Sequence, residues 1–145
     1  MLKLSVDEII KKINNEEPIE CSSLDESFSL YITAYVPYLC TAIHNGSNLR
    51  RELRQECALS KPQRWYEEDP HTYDFITSLP MRICGNDSRY EYDLNRPLES
   101  CIYETAWGQK VWKSNLTDDC KERSYHKHRE FYRVIDALIG KIQSK

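Results

Sequence analysis

From Phe28 to Val36 the chain alternates without a break. Phe28, Leu30, Ile32, Ala34 and Val36 point one way, and Ser29, Tyr31, Thr33 and Tyr35 point the other. This period of two marks a β-strand with one dry face and one polar face. Such a strand cannot stand alone. It needs partner strands at its edges and an apolar layer over its dry side.

The rest of the chain supplies candidates for both. Pro37 ends the alternation, and Tyr38–Ile43 (YLCTAI) follows, apolar on both faces and therefore expected at the centre of a sheet. Short strands are expected at 81–84 (MRIC) and 88–94 (SRYEYDL). Residues 5–15 read as an amphipathic helix, with Ser5 and Glu8 as a capping box and Val6, Ile9, Ile10 and Ile13 as its apolar stripe. Ser47 or Asn48 is placed to cap a helix through Cys57, and Asp69-Pro70 to open another to about Leu79. A long helix is expected from Asp118 or Asp119 to Ile142, with Phe131, Ile135, Leu138 and Ile142 on one face. Segments 16–27 and 58–69 read as linker and loop, and 98–117 shows no clear period. Strands alternating with helices define an α/β layered fold.

Composition narrows the function classes. The chain has 145 residues, 30% of them charged, and a net charge of -3. That balance, with no basic stripe, argues against a nucleic-acid partner. Four glycines leave no Gly-rich phosphate loop. No apolar run approaches the roughly 20 residues that span a bilayer. The N-terminus carries acids and lacks the apolar core of a signal peptide, so no membrane partner and a cytoplasmic location are expected. The six cysteines form no CxxC pair and are expected as buried thiols.

Candidate chemistry lies in three places. His44 follows the apolar strand and precedes Asn45-Gly46; it is either a metal ligand or the cap of a turn. Glu67, Glu68 and Asp69 form an acidic cluster beside a helix start, where one carboxylate could join His44 on a metal or the acids could simply favour the helix dipole. Asn95 and Arg96 stand side by side after 88–94. An Arg fork with an Asn amide suits a substrate carboxylate, while Arg89 and Asp93 could equally hold the loop in shape. His126 and His128 fall on different helix faces, one packed and one exposed, and His71 is expected in solvent.

The blocks IHNG (43–46), EEDP (67–70), SRYEYDLNRP (88–97) and CIYETAWGQKVW (101–112) together resemble the N-formylglutamate amidohydrolase family, and DLNR is shared with aspartoacylase-like and carboxypeptidase-like zinc hydrolases. The resemblance runs from about Phe28 to the chain end. It implies a three-layer α/β/α hydrolase sheet over 28–145, preceded by an N-terminal helix and linker at 1–27. It implies zinc as cofactor, with His44 as first ligand and Glu68 as second (Glu67 as the fallback). Asn95 and Arg96 match the pair that binds a substrate carboxylate, and Arg89 a second basic position. The implied activity is cleavage of the acyl amide of an N-acylated acidic amino acid such as N-formyl-glutamate, a small acidic substrate. The family's third zinc ligand and catalytic carboxylate lie beyond the long helix. The chain is therefore expected to hold the N-terminal portion of such a domain. The alternative is a non-catalytic remnant that needs a partner or a further segment.

Overall fold

The structure, a computed structural model, describes residues 1–144. The alternating segment forms β3 (Phe28–Ile32) and stops there; residues 33–36, expected to continue it, lie outside the strand, with Ala34 exposed. The partners of β3 build a five-stranded mixed sheet with β1 (Leu2–Leu4), β2 (Ile19–Ser23), β4 (Cys40–Ala42) and β5 (Met81–Gly85), in the order β1-β2-β3-β5-β4. β1 runs parallel to β2 and β4 parallel to β5, while β3 is antiparallel to both of its neighbours. The register pairs Cys21 with Leu30 and Leu30 with Ile83. One sheet face is therefore apolar, and Ser29, Tyr31 and Arg82 share the other.

Two helices cover the apolar face. α1 (Val6–Asn14) starts at the expected box: the Glu8 amide donates to Ser5 Oγ, and Ser5 N–H to the Glu8 carboxylate at 2.8 Å. Ile9 and Ile13 are fully buried. α4 (Asp118–Gln143) is capped by Thr117, one residue before the expected acids, and lays Phe131, Val134 and Leu138 over the sheet. Phe131 meets Phe28 edge to face, with ring centres 5.7 Å apart. A second apolar cluster, with Leu49, Leu53, Tyr90, Val111 and Trp112, underlies the loops. No helix among the described residues is long and apolar enough to cross a membrane. All six cysteines are free, four of them buried.

Several expectations give way. The 16–27 linker contains β2, whose Ile19 and Cys21 alternate with Glu20. The apolar strand shortens to β4 and lies at the sheet edge beside β5, its one strand neighbour among the described residues. The helix expected from Ser47 or Asn48 shortens to α2 (Arg51–Glu56), and the loop at 58–69 holds α3 (Lys61–Glu67), started by a Ser60/Gln63 capping box. The Asp69-Pro70 helix is a 3-10 turn at Thr72–Ile76, and 98–117 folds around a hairpin of β6 (Thr105–Ala106) and β7 (Gln109–Lys110).

Residues 88–94 are not a strand. Their amides close local turns, Glu91 N–H to Ser88 O at 2.8 Å and Arg96 N–H to Asp93 O at 3.1 Å. The side chains then radiate into the interior: all but Arg89 are buried, the charged Glu91 and Asp93 included.

Buried charge locks this coil to α4. Lys127 Nζ lies 2.9 Å from Asp87 and 3.1 Å from Glu91, and Arg50 Nε lies 2.6 Å from Glu91. Tyr92 donates to Asp87 at 2.8 Å. Burial pushes the Asp87 carboxyl up to about 6, against the pull of Lys127. An acid whose pKa is raised on folding binds its proton more tightly in the fold than in the open chain. Its contribution to stability is therefore present at low pH and lost as pH rises through the window from about 4 to about 6. Stability of the wild type relative to Asp87→Asn is expected to fall by about 1–3 kcal/mol across that window in urea titrations. A difference that stays flat from pH 4 to pH 6 would contradict it.

Candidate functional site

β4 and β5 run parallel, and both end where the candidate residues begin. His44 lies two residues past β4, and 86–89 leave β5. Beyond the strands the two exits stay bonded: Asn48 N–H donates to Asn86 O at 3.1 Å and Ser88 N–H to Asn48 O at 2.6 Å. Gly46 allows this approach, since a Cβ there would stand 2.0 Å from the Asn86 carbonyl carbon. The ends of adjacent parallel strands are a common place for a site in open α/β sheets.

Asp93 is the hub. It is fully buried, and its carboxylate accepts from four groups. His44 Nε2 lies 2.7 Å away, Arg89 Nη2 2.7 Å and the Asn95 amide 2.7 Å; the Tyr103 hydroxyl also donates to it. Burial alone would raise this carboxyl, but the bonds from His44, Tyr103, Asn95 and Arg89 outweigh it and hold it well below the usual range. Burial and the bond to Asp93 push the Tyr103 phenol up, so it keeps its proton.

The Asp93 carboxylate accepts the hydrogen bond from His44 Nε2–H, and in that tautomer Nδ1 is left as an acceptor. Nδ1 faces Asp69 Oδ2 at 3.4 Å, and the Asp69 side chain is half exposed. Two acceptors face to face require a proton or a cation between them. Two ligands of a tetrahedral zinc, each about 2.0 Å from the ion, stand about 3.3 Å apart. A carboxylate behind the histidine is the usual support for a metal-bound imidazole. The donor pair therefore fits zinc as two ligands. Among the described residues no group of three or more His, Cys, Asp or Glu side chains is arranged to hold a metal ion.

The acid that faces His44 Nδ1 is Asp69; Glu68, expected beside His44 as a second ligand, is turned elsewhere. Glu68 caps the C-terminus of α3 with an extended backbone, which turns its carboxylate inward. There it accepts from the Ser88 hydroxyl and lies 3.7 Å from Arg64 Nε. Glu67, the fallback, is half buried and offers its backbone oxygen to Arg89 at 3.1 Å.

The two arginines differ in what they have left to give. Arg89 is spent on Asp93 and the Glu67 carbonyl, and its Nη1 also stands 4.0 Å from Asp69 Oδ2. Arg96 is exposed, has no acidic partner among the described residues, and lies with its guanidinium 5.9 Å from the Tyr103 ring centre. Both line a cleft of about 300 Å³ with Tyr103 and Trp107. Asn95 gives its backbone to Asp93 and lines a neighbouring recess with Arg96, Pro97 and Tyr132. His128 is buried there against the Arg96 carbonyl, 2.9 Å from it. His126 and His71 are exposed, as expected.

In the sequence Trp107 stands out only within the CIYETAWGQKVW block, with no role of its own. It forms the tip of the β6–β7 hairpin with Gly108, and the two have φ of 53° and 77°. Two-residue hairpins with positive φ favour Asn-Gly, and a tryptophan there is strained by about 1 kcal/mol or more. Trp107→Asn is expected to stabilise the chain by about 0.5–1 kcal/mol in thermal or urea unfolding. Unchanged or reduced stability would show that the ring makes up for the strain by packing.

The fold and this cluster define a mixed α/β protein with a histidine–carboxylate site at the ends of two parallel strands. Compared with known protein families, curated proteins and solved structures, the chain matches none.

Proposed function

We propose that this chain carries the zinc and substrate-carboxylate side of an amidohydrolase site that cleaves the acyl amide of N-acylated amino acids, N-formyl-glutamate among them. The observation that carries this reading is His44, held by buried Asp93 so that its free nitrogen faces Asp69 at 3.4 Å. His44 and Asp69 would hold the ion. The three-layer α/β/α hydrolase sheet belongs to the same reading. When bound, zinc would supply Lewis acidity and a water whose pKa is lowered toward about 7.

The chain's own residues do the rest. Asp93 keeps the Nε2 proton in place and the ring in one orientation. Arg89 and Tyr103 hold Asp93 in turn. Arg96 gathers the substrate carboxylate, which fixes the amide relative to His44 and removes orientational freedom before reaction.

The test is release of formate from N-formyl-L-glutamate by the purified chain with zinc, with and without a chelator. Turnover stopped by chelation and restored by zinc is expected, with KM raised about tenfold or more in Arg96→Ala. Turnover that survives chelation, or an unchanged KM, would overturn the reading.

One observation favours a second reading. Among the described residues two donors converge, whereas a catalytic zinc usually has three protein ligands. On that reading the chain holds zinc without turnover until a partner copy or another segment supplies a third donor. Zinc bound by His44 with no formate released would favour it.

A further inference from the structure

The cleft beside Arg96 does not end at Trp107. A second hollow of about 450 Å³ shares Glu67, Tyr90, Ala106 and Trp107 with it, and is completed by Leu59, Tyr66 and two glutamines, Gln63 and Gln109. Its walls are largely apolar. Trp107 is 81% exposed and Tyr66 85% exposed, so two large rings stand in water at its rim. Trp107 is held there on a backbone that disfavours it. Strained residues of this kind gather at ligand sites.

The charges around the cleft limit what enters. Arg89 is neutralised by Asp93 at 2.7 Å, which leaves Arg96 as the cation for a ligand. Glu67 lines both hollows and repels a second carboxylate. A formyl group is a single carbon and leaves the apolar hollow empty.

From these observations we infer that the site takes N-acyl amino acids with a single carboxylate and a large apolar acyl group. The carboxylate sits at Arg96 and the acyl group against Trp107 and Tyr66. This rests on the carboxylate role proposed for Arg96 and replaces N-formyl-glutamate as the preferred ligand. Apolar acyl groups gain by leaving water, and the indole face adds stacking for an aromatic one.

Calorimetric titration of the full chain with N-benzoylglycine, N-formylglycine and N-formyl-L-glutamate tests it without turnover. N-benzoylglycine is expected to bind at least about tenfold tighter than either formyl compound. Trp107→Asn suits the hairpin turn and keeps the fold, so a preference cut to about threefold or less in that variant reports the lost ring. Arg96→Ala is expected to weaken all three ligands. Equal affinities that all depend on Arg96 would overturn the apolar-acyl inference and leave the carboxylate role standing. So would a benzoyl preference that survives in Trp107→Asn. Affinities indifferent to Arg96→Ala, or no binding of any probe, would remove both.

Discussion

Asp93→Ala is expected to cost about 3–5 kcal/mol of folding stability, among the largest effects of any single change in this chain. Its carboxylate satisfies four groups at once, from His44, Arg89, Asn95 and Tyr103. Truncation leaves a mostly buried guanidinium without its nearest counter-charge, Asp69 standing 4.0 Å away, and the cost is set by the abandoned partners more than by the lost bonds. Arg89 keeps the Glu67 carbonyl, which favours the lower end of the range. The pH dependence has a definite sign. Asp93 is held below its unfolded value, so its contribution is present above about pH 4 and lost as pH falls below that. The gap between wild type and Asp93→Ala in urea unfolding is therefore expected to shrink from pH 7 to pH 3. A loss under about 1 kcal/mol at pH 7 would show that the four donors find other partners.

Gly46→Ala is expected to destabilise by about 3 kcal/mol or more and to displace His44. The added Cβ would stand 2.0 Å from the carbonyl carbon and 2.1 Å from the oxygen of Asn86. Both are backbone atoms next to β5, so no flexible side chain can give way. Relief has to come from separating the exits of β4 and β5, which breaks the bonds between Asn48, Asn86 and Ser88. Gly140→Ala is the control, since nothing lies within 4 Å of a Cβ there. It should be neutral or slightly stabilising through helix propensity. Equal stability of the two variants would contradict the close approach.

What could be read from the sequence was what local period and capping decide. The unlike faces of Phe28–Ile32, the Ser5/Glu8 box and the apolar face of α4 depend on neighbours within one turn or one strand, and all three stand in the structure. Residues 88–94 mislead because their alternation serves no sheet. Ser88 reaches Glu68, Glu91 reaches Arg50, and Asp93 reaches His44, partners 20, 41 and 49 residues away. Such pairing is set by tertiary packing and leaves no local period. Tyr38–Ile43 misleads differently, since an edge strand can be apolar where another element, here the 3-10 turn at Thr72–Ile76, packs beside it. For the site, His44 and the acidic cluster were visible. Which acid faces His44 was not, because one extended residue at the end of α3 turns Glu68 inward and Asp69 outward. The role of Trp107 depends on a backbone conformation that its residue type opposes.

The most direct measurement is the zinc content of the purified chain by elemental analysis after zinc loading and desalting, beside His44→Ala, Asp69→Asn and Glu68→Gln. About one zinc per chain, lost in His44→Ala and Asp69→Asn but kept in Glu68→Gln, is expected if His44 and Asp69 hold the ion. No zinc in the wild type, or zinc that stays in His44→Ala, would contradict a metal centre on His44.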